Sequence, residues 1–76
     1  MEFDQEIDAR GLLCPLPVLK ARKRLKSMGK GEVLKLLADD PAAVIDVPHF
    51  CAGQGYELLK VAKRGKDAQV YFIKSR

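Results

Sequence analysis

The chain has 76 residues, a formal charge of +4, two cysteines and one histidine; 47% of it is apolar and 32% charged. That balance excludes a disordered tail, and the length sets a single domain over residues 1–76, near the lower limit for a core built without staples. No apolar run approaches the roughly 18 residues of a membrane-crossing helix, so no membrane partner is expected.

The acidic opening "MEFDQEIDARG" lacks the basic start and apolar stretch of a signal peptide, so a cytoplasmic location is expected. Gln5 to Ala9 reads as a first strand with Ile7 facing inward, and Arg10-Gly11 turns the chain. Pro15 to Met28 reads as a helix. Val18, Ala21, Leu25 and Met28 recur at spacings that share one face, and Gly29 stands at the usual terminating position. Glu32 to Ala38, "EVLKLLA", reads as a strand with Leu34 and Leu36 on one face. In "DDPAA", Asp40 is placed to cap a second helix with Pro41 at its first position. Pro48 should keep that helix short, with Gly53 and Gly55 closing it. Tyr56 to Lys63 and Ala68 to Lys74 read as strands joined by the turn "RGKD". The order βαβαββ predicts an α/β two-layer sandwich, with a four-stranded mixed sheet and two helices packed on one face.

The stretch "CPLP" carries the chemistry. With Cys14 as N-cap, Pro15 and Pro17 fall at the first and third helical positions, where their missing N–H groups break no helical bond. The prolines stiffen that first turn, and Pro17 offers the cap no donor, which leaves the Leu16 N–H to the Cys14 sulfur. Gly11 suits a backbone conformation closed to other residues. Gly11, Pro15, Leu16 and Pro17 are thus the expected positioning residues. The partial positive charge of a helix start favours an anionic sulfur, so a partly ionised thiol is expected, and a persulfide there would be held as an anion.

What is missing narrows the reaction. The lone histidine, His49, is not aimed at Cys14 by any sequence feature, so the oriented base of a cysteine hydrolase is lacking. No resolving cysteine follows two residues on, as dithiol redox motifs need. A four-ligand metal site cannot be assembled from the usual Cys and His groups, and neither a metal nor a cofactor is expected. Cys51 falls with Val44 and Val47 on an apolar stripe; core packing is its first reading and a secondary thiol its second. Lys20, Lys23, Arg24 and Lys26 form a basic helix face, most simply solvated. Together with Arg10, the first three are candidate docking residues for an acidic partner.

The segment "DARGLLCPLPVLKARKRL", followed by "LADDPAAVIDVPHFC" and "YELL", resembles the Cys-Pro-x-Pro signature and flanking elements of the TusA/SirA family of sulfur carriers. The resemblance spans Gln5 to Ser75 and implies the same βαβαββ sandwich. It also implies that Cys14 takes sulfane sulfur as a persulfide from a cysteine desulfurase or other sulfur donor protein. Cys14 would then pass it to a downstream acceptor protein, as a carrier and not as a stand-alone turnover enzyme. Family branches serve tRNA 2-thiouridine synthesis, molybdenum-cofactor maturation or sulfur oxidation. The rival reading is an RNA-binding or regulatory module using the basic helix face. Direct nucleic-acid binding is not expected, because the last strand offers only Tyr71 and Phe72 for stacking. No feature calls for more than a monomer.

Overall fold

The computed structural model describes residues 1–76. Its elements are β1 (Gln5–Asp8), α1 (Leu16–Ser27), β2 (Val33–Ala38), α2 (Ala43–Gln54), β3 (Glu57–Arg64) and β4 (Ala68–Lys74). The sheet order is β1-β2-β4-β3. β1 runs parallel to β2 with Ile7 opposite Leu36, and β4 runs antiparallel to both β2 and β3. The expected α/β two-layer sandwich with a mixed four-stranded sheet is therefore observed. Strand alternation explains the burial: Leu34, Leu36, Tyr71 and Ile73 point to the helix layer and are fully buried. On the opposite face Leu37, Val70 and Phe72 form a smaller apolar cluster, flanked by Val33 and Leu59.

Both helices depart from expectation in ways that bear on the site. In α1 the N-cap is Pro15, not Cys14, and the first helical bond runs from the Leu19 N–H to the Pro15 carbonyl. Pro17 therefore sits at the second helical position, where it is buried beside Ala21 and Leu25. The helix ends at an extended Met28, and Gly29 is not left-handed; its N–H instead donates to Glu32 Oε1 at 2.6 Å.

α2 runs twelve residues straight through Pro48 instead of stopping there. Proline at that position leaves the Val44 carbonyl without its helical donor, at a cost of about 3 kcal/mol in an exposed helix. The buried stripe Ala43, Val47 and Cys51 lies on both sides of Pro48, so packing on the sheet holds the helix together across it. Asp40 caps the turn that leads into α2 and not the helix itself: its Oδ1 accepts from the Ala42 N–H at 3.2 Å, and its carbonyl accepts from the Ala43 N–H at 2.9 Å. Gly55 closes α2 in the left-handed conformation at φ 76°, as its position predicts. A Cβ there would lie 3.0 Å from Arg76 Nη1. Gly55→Ala is expected to cost about 1 kcal/mol, seen as a lower urea midpoint at unchanged m-value.

Candidate functional site

The segment from Gly11 to Pro15 leaves β1, crosses the end of the sheet and enters α1. Two aspartates at the end of β2 tie it down. Gly11, at φ 83°, donates its N–H to Asp39 Oδ1 at 2.9 Å, and the Cys14 N–H donates to Asp40 Oδ2. Asp40 is nearly buried, at 8% exposure, so its two accepted N–H bonds replace the water its carboxylate gives up. The Cys14–Pro15 peptide is cis. The positive φ expected of Gly11 is present.

The thiol itself is exposed. It does not rest on the Leu16 N–H, which donates to the Leu13 carbonyl at 2.9 Å. Instead Cys14 Sγ donates to Asp46 Oδ2, 2.6 Å away in the first turn of α2. A small hollow between the two helices is lined by Cys14, Pro15, Pro17, Asp40 and Asp46. This placement reverses the expected acidity. Hydrogen bonding to Asp46 pushes the thiol pKa up, helped by desolvation and by the negative charges of Asp46 and Asp40. A full anion at hydrogen-bond distance outweighs the half charge of a helix start. The arrangement therefore favours the neutral thiol over the partly ionised one that a helix N-cap would give.

The other singled-out residues separate into groups. Leu16 is 46% exposed, and with Leu13, Val44 and Ile45 it adds to the apolar surface presented by the two helix starts and the loop before α1. Lys20, Lys23 and Arg24 line one shallow cleft with Ile7 and Ser27, and Arg24 Nη1 donates to Gln5 Oε1 at 3.0 Å. Arg10 is engaged locally: its guanidinium grips Asp8 at 2.7 and 2.9 Å and holds that carboxyl down to about 2. The pair's stabilisation is present above the ordinary carboxyl pKa and is lost as pH falls through about 2. Between two half-exposed side chains it contributes little at neutral pH.

Cys51 is 2% exposed in the main core, and burial pushes its thiol up to about 11. The second reading, an accessible secondary thiol, is thereby corrected: the side chain packs under α2. His49 is exposed on α2, and it does not gather with other metal-ligating side chains into a group of three or more. Tyr71 and Phe72 are both buried, so neither offers a face for a base to stack on.

Sequence reasoning missed Asp39 and Asp46. The signal for Asp46 was an acidic residue set three positions after Ala43 on the apolar stripe of α2, a polar exception on a packing face. The tandem aspartates of "DDPAA" held the other, since one cap needs only one of them.

Comparison with known proteins agrees with this architecture. The family model described as Sulfurtransferase TusA matches residues 5–74. The sulfur carrier protein TusA of Allochromatium vinosum is 47% identical over 64 residues, covering 84% of each chain. The crystal structure of a SirA-like protein from Desulfitobacterium hafniense superposes with a TM-score of 0.85 at 27% identity, covering 95% of this chain and 97% of that one.

Proposed function

The chain belongs to the TusA family and is a sulfur carrier in a sulfur relay, and from that premise we propose that Cys14 is the residue that holds the travelling sulfur, as a persulfide. The observation that carries this reading is the contrast between the two thiols. Cys14 is exposed on a loop fixed by Asp39 and Asp40, whereas Cys51 is sealed in the core. Transfer of a sulfane sulfur requires one sulfur atom to approach another along the S–S axis, and only Cys14 can be approached. Gly11, Pro15 and Pro17 support the reading as positioning residues, since they shape the backbone on both sides of the thiol. Leu16 adds an apolar contact beside it.

A carrier needs a donor and an acceptor protein. The donor proposed is a cysteine desulfurase, and Lys20, Lys23 and Arg24 are the proposed docking cations, gathered along one cleft beside α1. Leu13, Leu16, Val44 and Ile45, exposed at the two helix starts and in the loop before α1, add apolar surface suited to a protein partner. The domain spans residues 1–76 in this reading and works without a metal or cofactor. No helix is long and apolar enough to cross a membrane.

Incubating the protein with a cysteine desulfurase and cysteine, then measuring its intact mass, tests the carrier chemistry. One added sulfur per chain, removed by dithiothreitol with release of sulfide, is expected. A mass unchanged by active desulfurase overturns the reading.

A further inference from the structure

Cys14 and Asp46 stand 32 positions apart in sequence, yet the thiol donates to the carboxylate at 2.6 Å. This is an unfavourable arrangement for a nucleophile: the thiolate that attacks would face the Asp46 anion at contact distance, with Asp40 behind it. No basic side chain donates a hydrogen bond to, or forms an ion pair with, either carboxylate; Arg10, four residues before Cys14, is held by Asp8. Asp46 itself is half-buried at the rim of the hollow, with one side open to whatever docks over Cys14.

We infer that Asp46 is a proton lock on the carrier: its carboxylate keeps Cys14 a neutral thiol in the free protein, and a cationic side chain of the docked sulfur donor releases the sulfur by pairing with Asp46. The inference rests on Cys14 being the sulfur-bearing residue. In the step it governs, the Cys14 sulfur loses its proton and attacks the terminal sulfur of the donor's persulfide. The donor's S–S bond breaks, and its own cysteine sulfur leaves with the bonding pair and takes up a proton. One S–S bond forms as one breaks, so Cys14–SH and donor–S–SH become Cys14–S–SH and donor–SH with no net oxidation. Between partners the lock leaves the sulfur poorly nucleophilic, because the thiolate and not the thiol reacts. Asp46 is on this account a positioning residue that also selects partners: those bringing a cation to the site are favoured over those bringing an anion.

The test uses the whole chain and needs no sulfur donor, so it fails or succeeds independently of persulfide loading. The rate of Cys14 alkylation by iodoacetamide is followed against pH for the wild type, Asp46→Asn and Glu57→Gln. Glu57 opens β3 beyond the far end of α2, whose last residue, Gln54, is already about 12 Å along the helix from Asp46 at 1.5 Å per residue, and so it controls for net charge alone. Circular dichroism confirms that each variant is folded.

Asp46→Asn is expected to shift the alkylation profile to lower pH. A tenfold larger thiolate fraction, partly offset by the weaker nucleophilicity of a less basic sulfur, raises the rate at pH 7 roughly threefold. Glu57→Gln is expected to leave the profile in place. In a second arm, a cationic and an anionic methanethiosulfonate reagent compete for Cys14; the preference of the wild type for the cation is expected to fall at least about threefold in Asp46→Asn. A profile that does not move, or moves to higher pH, in a folded Asp46→Asn overturns the lock. An unchanged reagent preference overturns the partner selection.

Discussion

Cys14→Ser is expected to fold like the wild type and to take up no sulfur from a desulfurase, while Cys51→Ser takes up one sulfur and loses stability. The two substitutions are chemically identical, so their opposite outcomes come from position. At Cys14 the side chain is exposed and packs little, and a serine hydroxyl can donate to Asp46 as the thiol does. Its unfolding free energy should lie within about 0.5 kcal/mol of the wild type. At Cys51 the hydroxyl enters an apolar cluster with Ala43 and Val47. Burying it without a partner costs about 1–3 kcal/mol, a large share of the stability of so small a domain. Intact-mass loading and urea denaturation read the two effects separately. A Cys51→Ser protein that is folded but unloaded would move the chemistry to the core thiol and contradict the assignment.

The second large effect is expected at Asp40, which touches no reacting atom. Its carboxylate accepts from the Cys14 N–H and the Ala42 N–H, joining the start of α1 to the turn before α2. Asp40→Ala leaves two backbone donors unpaired in a nearly buried position, a loss of about 1–3 kcal/mol. It should also slow desulfurase loading, because the loop that presents the sulfur loses its anchor while Cys14 stays intact. Asp40→Asn keeps one carbonyl acceptor and should fall between alanine and the wild type in both measurements. An alanine variant with wild-type stability and loading rate would mean that the loop is held by other contacts.

The fold was legible in the sequence because its signals are local. Leu34 and Leu36 share one face of a strand with Lys35 between them, Ala21 and Leu25 repeat at helical spacing, and Gly55 stops α2, each within one element. The limits of the site's legibility are physical as well. Assigning the N-cap to Cys14 placed the sulfur in the field of α1 alone. The backbone begins the helix one residue later, at Pro15, and the chain then carries the thiol toward α2. Asp46 reaches it only because β2 returns beside β1 and sets the start of α2 next to that of α1. A contact of that sequence separation has no periodicity to announce it. Pro48 misled for a related reason: its local penalty is real, but tertiary burial of Val47 and Cys51 outweighs it.

Cys14 and Cys51 fall on different tryptic peptides, residues 11–20 and 36–60, so the most direct measurement is peptide mapping after loading with isotopically labelled cysteine and a desulfurase, with free thiols and persulfides blocked by alkylation. The label is predicted on the 11–20 peptide as a single extra sulfur, and the 36–60 peptide should carry none. Label on 36–60, or spread equally over both, would contradict the claim that one exposed sulfur at the entrance to α1 does the carrying.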